Sequence, residues 1–184
     1  MGVLKQVNGN KHAVVESNFL AGRRTGHVKA QLGLNEDQFS NDVKAENGML
    51  LIYDTVNQVV SLPVNAASAV MLHFSVEKEY DRLRPGLNNF ALAPGEFYPR
   101  LYGLYPGDTW TTDAVRLVAG TATDEEIEAA YETLEPSNTN VYAVGTDGFL
   151  NLVGVAAGTE PVRVKVISKT TLPNGGLAVK LEVV

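Results

Sequence analysis

The sequence has no cysteine, and only one tryptophan, three methionines and three histidines in 184 residues. Without cysteine there is no disulfide scaffold, no thiolate zinc site, no iron–sulfur cluster and no cysteine nucleophile. No apolar run approaches the roughly 20 residues of a membrane helix. Residues 1–10 lack the apolar stretch of a secretory signal, and position 6 is Gln6, so the myristoylation pattern fails as well. The chain is therefore expected to be soluble and made inside a cell. Charged residues are 20% and hydrophobic ones 45%, a globular rather than a disordered composition. At ~100–200 residues per domain this is one domain or two small ones. A chain of this size buries roughly 70% of its unfolded surface, enough for a core without staples.

Catalytic patterns are missing too. No His-x-His or His-Glu-x-x-His pair offers a zinc site, and no Gly-x-Ser-x-Gly elbow offers an esterase nucleophile. The Walker phosphate loop and the Gly-x-Gly-x-x-Gly dinucleotide loop are absent. His12 and His27 lie in an irregular region. His73 sits between Leu72 and Phe74 in an apolar run and reads as structural. Asp124, Glu125, Glu126 and Glu128 resemble a carboxylate pool but form one face of a capped helix. Asp108 and Asp147 are turn acids that match no calcium loop. No catalytic residue, metal or cofactor is expected, and no enzyme activity.

What is present is unevenly charged. Residues 1–30 carry Lys5, Lys11, Arg23, Arg24 and Lys29 against Glu16 alone. The remaining 154 residues carry ten basic and twenty acidic groups, within a net charge of −6. A basic arm on an acidic body suits a negative partner, whether nucleic acid or an acidic protein surface; it also suits a solubilising tail. Residues 1–47 show no sustained period of 2 or 3.6. Their apolar residues are scattered: Val14, Val15, Phe19, Leu20, Leu32 and Leu34. This reads as an extended N-terminal arm that docks on its own body or on a neighbour. The arm is expected to make few contacts with the free body and to order on a partner.

Residues 48–184 read as an all-β body, closed as a sandwich or small barrel. Met49–Tyr53 and Val59–Leu62 form a strand pair, and Ala69–Val76 a third strand. Thr123 with Glu126 has capping-box spacing, and Ile127, Ala130, Tyr131 and Leu134 make one apolar stripe. A helix is predicted at about 124–135, stopped by Pro136. Asp147-Gly148 between apolar runs predicts a hairpin. Val162, Val164 and Val166 alternate with Arg163 and Lys165; Leu177 to Val183 alternates with Lys180 and Glu182. That pair reads as a second hairpin with Lys165 or Arg163 across from Glu182.

Residues 80–110 are the least ordinary stretch. Pro-Gly occurs at 85–86, 94–95 and 106–107, and seven of the 14 aromatic residues fall here. Such turns forbid long helices. Tyr98, Tyr102, Tyr105 and Trp110 can cover the body's own core, anchor a protein interface, or stack on sugars. Arg82, Arg84 and Arg100 interleave with them, a pattern also found in nucleic-acid stacking. The acidic body argues against that. The candidate partner-binding residues are Arg23, Arg24, Lys29, Tyr98, Tyr102, Tyr105 and Trp110.

Three segments carry a resemblance: residues 82–100, rich in Pro-Gly and aromatics; Gly107-Asp-Thr-Trp-Thr-Thr-Asp-Ala-Val; and Thr170-Thr-Leu-Pro-Asn-Gly-Gly-Leu-Ala-Val-Lys. The chain resembles small virion structural proteins of tailed bacteriophages, most of all capsid decoration, or cement, proteins. The likeness is one of style over about residues 48–184. It implies a non-enzymatic protein that binds and stabilises an assembled capsid through its major capsid protein. It implies a virion location after assembly in the host cytoplasm, and a homo-oligomer, a trimer favoured, with no membrane and no specific nucleic acid. A carbohydrate- or receptor-binding virion component is the alternative.

Overall fold

The computed structural model describes residues 2–21, 28–75, 90–137, 140–154, 156 and 158–184. Arg23, Arg24, Arg82, Arg84 and the turn at 85–86 lie outside them. The protein is mainly β, as the alternating segments require. In chain order the strands are β1 (Val15–Ala21), β2 (Val28–Lys29), β3 (Gly33–Leu34), β4 (Ala45–Glu46), β5 (Leu50–Asp54), β6 (Val59–Ser61), β7 (Met71–His73) and β8 (Ala91–Leu92). They continue as β9 (Leu101–Tyr102), β10 (Thr109–Thr112), β11 (Val115–Arg116), β12 (Ala143–Val144), β13 (Leu150–Asn151), β14 (Val164–Thr171) and β15 (Leu177–Val183). A 3-10 turn, Leu4–Gln6, precedes them, and helix α1, Asp124–Thr133, lies between β11 and β12.

One sheet has the order β1-β10-β15-β14 and another the order β2-β9-β7-β5-β6-β3. Smaller sheets join β11-β13-β12 and β4-β8. The terminal hairpin is the longest pairing, with Lys165 opposite Glu182 and their side chains ion-paired at 3.0 Å. Its register slips between Val166 and Ser168, so Ile167 is bulged outward. The hairpin at Gly145–Phe149 also forms, closed by Gly145 N–H to Phe149 O at 2.8 Å.

Strand β5 sits between two cores. Leu50 and Ile52 face a main core that includes Trp110, Val179 and Leu181 of the first sheet, with Ile127 and Tyr131 of α1. Leu51 and Tyr53 face a second core with Leu32, Leu34, Phe39, Ala45 and Leu92. The split follows from the period of 2 in a strand, where successive side chains leave opposite faces. Leu72 and Met71 of β7 divide in the same way.

The second core corrects the reading of residues 1–47 as an arm with few contacts. Val3, Leu4, Ala13 and Val15 are fully buried, and residues 32–45 supply one side of the second core. Gly2 lies so close to the backbone of Val118 that an added Cβ would fall 2.0 Å from its carbonyl oxygen. The physical reason is that β5 has no polar face to leave in water. Its unbroken apolar run needs cover on both sides, and the N-terminal residues provide it.

Helix α1 begins as its sequence dictates. The Thr123 Oγ1 accepts from Glu126 N–H at 3.3 Å, and Glu126 Oε2 accepts from Thr123 N–H at 2.9 Å. It ends at Thr133, two residues before the expected limit, because Leu134 is already extended. Pro136 disfavours helix in the residue before it. Thr123→Ala is expected to cost about 1 kcal/mol of stability, the usual worth of such a cap. Urea unfolding would read this as a lower midpoint with an unchanged slope.

Candidate interaction surface

The loop from β8 to β9 carries the largest exposed aromatic side chains among the described residues. Ala93-Pro94-Gly95-Glu96 makes a turn in which Gly95 has φ +79°, a value L side chains rarely adopt. Glu96 closes it: its Oε2 accepts from Ala93 N–H at 2.8 Å. Phe97 and Tyr98 follow, 76% and 63% exposed. Pro99 is buried immediately after them, and Leu101 enters β9 fully buried. Two fixed ends therefore hold two apolar rings in water.

The downstream end is fixed by a chain of hydrogen bonds. Arg100 N–H donates to Ser75 Oγ at 2.9 Å, and Phe74 N–H donates to Arg100 O at 3.0 Å. Ser75 Oγ lies 2.7 Å from His73 Nε2, and His73 Nδ1 lies 2.7 Å from Glu46 O. A carbonyl can only accept, so the Nδ1 carries the proton and Ser75 donates to Nε2. His73 is fully buried, and burial pushes its pKa down to about 4, against smaller opposing effects of Glu46. It is the structural histidine that its sequence context indicated. The Ser75–His73 pair has the contact of a nucleophile and base, but its chemistry is unfavourable. A buried imidazolium here lacks a carboxylate on its second nitrogen, and Ser75 N–H is spent on Asn47 Oδ1 at 2.9 Å.

Hollows flank the aromatic pair. One, of about 450 Å³, is lined among the described residues by Ala30, Ser75, Phe90, Leu92, Phe97, Tyr98 and Arg100. The other, of about 330 Å³, lies between Gly33, Gly95, Glu96, Phe97 and Tyr98. Phe97 and Tyr98 line both, so together they stand as a ridge. Gly33 keeps the second hollow open, its nearest non-neighbouring atom to an added Cβ being Tyr98 Cε1 at 4.0 Å.

The other candidates fall in different places. Lys29 is exposed on β2 with its Nζ 4.8 Å from the centre of the Tyr53 ring, a cation–π contact. Tyr102 is half-buried in β9 and packs on Phe74 with ring centroids 6.2 Å apart. Tyr105 is half-buried at a turn, where its N–H donates to Asp108 Oδ2 at 2.9 Å. Trp110 is 1% exposed in the main core and is corrected from partner anchor to core residue. In β10 it lies opposite Leu181, and that pairing turns it inward. Phe97, which is not among the sequence-predicted candidates, is the most exposed of the described ring residues. Its adjacency to Tyr98 between a Pro-Gly turn and Pro99 is the signal that could have found it.

A second polar group of residues pins the N-terminal segment. Buried Asp113 accepts from Val14 N–H at 2.6 Å, Asn10 Nδ2 at 2.8 Å and Asn8 Nδ2 at 3.2 Å. Burial nevertheless pushes its pKa up to about 6. Glu46 pairs with Lys5 and lies 3.1 Å from His12 Nδ1, while its Oε2 accepts from Ala13 N–H at 2.7 Å. Burial raises the Glu46 pKa, but these partners outweigh it and hold the carboxyl below its ordinary value. These contacts are all internal, so this group reads as a structural clasp.

Among the described residues no group of three or more His, Asp or Glu is placed to hold a metal ion. No described helix is long and apolar enough to cross a membrane. No family model, curated protein or solved structure matches the chain.

Proposed function

We propose that the protein is a non-enzymatic virion structural component, of the capsid decoration type, that binds an assembled capsid lattice through the Phe97–Tyr98 ridge. The observation that carries this reading is the pair of rings held in water between two fixed ends. Exposed aromatic side chains on a rigid frame lose little entropy on binding and bring much apolar area, the usual character of an interface anchor. The resemblance to phage decoration proteins supplies the partner, the major capsid protein. The described N-terminal residues serve the body's own two cores, so the partner contact is given to the ridge.

Sedimentation with expanded capsids tests the reading. The wild-type protein is expected to pellet with them. Phe97→Ala and Tyr98→Ala are each expected to keep the melting temperature near wild type, because the rings leave water-exposed positions. At least one is expected to weaken binding by ~2 kcal/mol, about thirtyfold. Loss of glycan binding with intact capsid binding would instead favour a sugar platform. Failure of the wild-type protein to sediment would end the capsid reading.

A further inference from the structure

We propose that Asn174 is a site of self-modification: the Gly175 backbone nitrogen attacks the Asn174 carboxamide carbon, ammonia leaves, and water opens the resulting succinimide to aspartate or isoaspartate. The fold directs this chemistry to Asn174 and withholds it from the chain's two other Asn-Gly steps, at Asn8 and Asn47.

In all three steps the attacking nitrogen belongs to a glycine, with no Cβ to hinder its approach. What ranks them is how each carboxamide is held. Attack needs the carboxamide carbon to swing onto the next backbone nitrogen, so every hydrogen bond the side chain makes elsewhere must break first.

Asn47 is fully buried, and Gly48 is buried beside it. The Asn47 Oδ1 accepts from Ser75 N–H at 2.9 Å, and Gly48 N–H donates to His73 O at 2.8 Å. Carboxamide and nucleophile are both tied, away from the water that would take the nitrogen's proton. Asn8 is half-buried and gripped at both ends. Its Oδ1 accepts from Leu177 N–H at 2.5 Å, and its Nδ2 donates to Leu177 O at 2.8 Å and to Asp113 Oδ2 at 3.2 Å. Turning it towards Gly9 breaks all three bonds, one of them to a buried carboxylate.

Asn174 is held far less. With Pro173 and Gly175 it forms the exposed loop of the β14–β15 hairpin. Gly175 N–H donates to Leu172 O at 2.8 Å, Leu172 N–H donates to Gly176 O at 2.7 Å, and Gly175 has φ +85°, as a three-residue hairpin loop requires. Among the described residues the Asn174 carboxamide makes one hydrogen bond, from Gly176 N–H to Oδ1 at 3.1 Å, and it is exposed to competing water. Bonds at such a loop tip open at little cost in free energy.

The position of the loop gives the reaction a consequence. An added Cβ on Gly176 would fall 2.9 Å from Asn8 Cγ and 3.2 Å from Asn174 Oδ1, so the loop rests against the Asn8 side chain. Aspartate at 174 keeps an oxygen for Gly176 N–H and leaves the main chain its length. Isoaspartate routes the main chain through the side chain and adds a carbon to a closed turn. That displaces Gly176 and Leu177, the residues against which Asn8 is clasped.

Peptide mapping by mass spectrometry tests this on the full chain, aged at mildly alkaline pH either folded or in denaturant. In the folded protein Asn174 is expected to exchange NH2 for OH at least about tenfold faster than Asn8 or Asn47. In denaturant that gap is expected to close. The product at 174 is expected to include isoaspartate, read by its methylation with an isoaspartyl methyltransferase. The isoaspartate form is expected to melt below Asn174→Asp, which melts near wild type. Asn8 or Asn47 converting as fast as Asn174 in the folded protein, an intact Asn174 while the unfolded chain converts, or a gap unchanged in denaturant would each overturn the proposal. Equal melting of the two product forms would overturn its consequence for the N-terminal clasp.

Discussion

Removing residues 1–13 is expected to leave a chain with no cooperative unfolding transition. Val3 and Leu4 are fully buried, and each contributes ~1.5–3 kcal/mol by leaving water. The same deletion strips Lys5, His12 and the Ala13 N–H from Glu46, and Asn8 and Asn10 from Asp113. Breaking one buried charge pair costs ~3–5 kcal/mol. Together these losses reach the ~5–15 kcal/mol that holds a domain folded. Thermal circular dichroism and amide NMR dispersion would check it. A truncated chain that still melts sharply near the full-length temperature would make these residues an appendage after all.

A variant that removes the Asp113 charge is expected to change how stability depends on pH. His73 has its folded pKa lowered to about 4 from an ordinary 6.5. Its contribution is present above pH 6.5 and is lost as pH falls towards 4, a swing of about 3 kcal/mol. Asp113 has its folded pKa raised to about 6 from an ordinary 3.8. Its contribution is full below pH 3.8 and is lost as pH rises through 6, again about 3 kcal/mol and of opposite sign. In the wild-type protein the two nearly cancel between pH 4 and 6.5, so stability should be close to level there. Glu46, with a lowered pKa, adds a loss on acidification below its ordinary 4.5. Asp113→Asn leaves the His73 slope uncovered, and stability is expected to climb by about 3 kcal/mol from pH 4 to 6.5. Chemical unfolding across that range measures it. A level profile in the variant, or a steep one in the wild type, would contradict the opposed titrations.

Local chemistry made much of the β framework legible in the sequence. The capping box at Thr123, the Asp147-Gly148 turn and the alternation that sets Lys165 against Glu182 are each written within a few residues. They form because short-range rules decide them. Burial of particular aromatic residues was not legible, because distant pairing decides it. Trp110 and Tyr98 come from the same Pro-Gly-rich stretch and look alike by composition. One lies opposite Leu181 across β10 and β15, while the other follows a turn closed by Glu96 and stays exposed. The N-terminal segment was misread for a further reason. Its apolar residues have no period because they come from short strands and turns rather than from one element. The clue lay instead in β5, where Met49 to Tyr53 does not alternate. A strand without a wet face needs two covers, and only one was accounted for in the C-terminal hairpins.

That strand has a consequence for how the molecule can come apart. A party wall between two rooms cannot be taken down for one of them alone. Leu50 and Leu51 are neighbours in sequence yet serve opposite cores, so separating either layer wets the same backbone. Among the described residues the two cores share this strand, so neither is expected to loosen while the other keeps its packing. The amides of β5 therefore belong to the last set to exchange with solvent, released only when the whole chain opens.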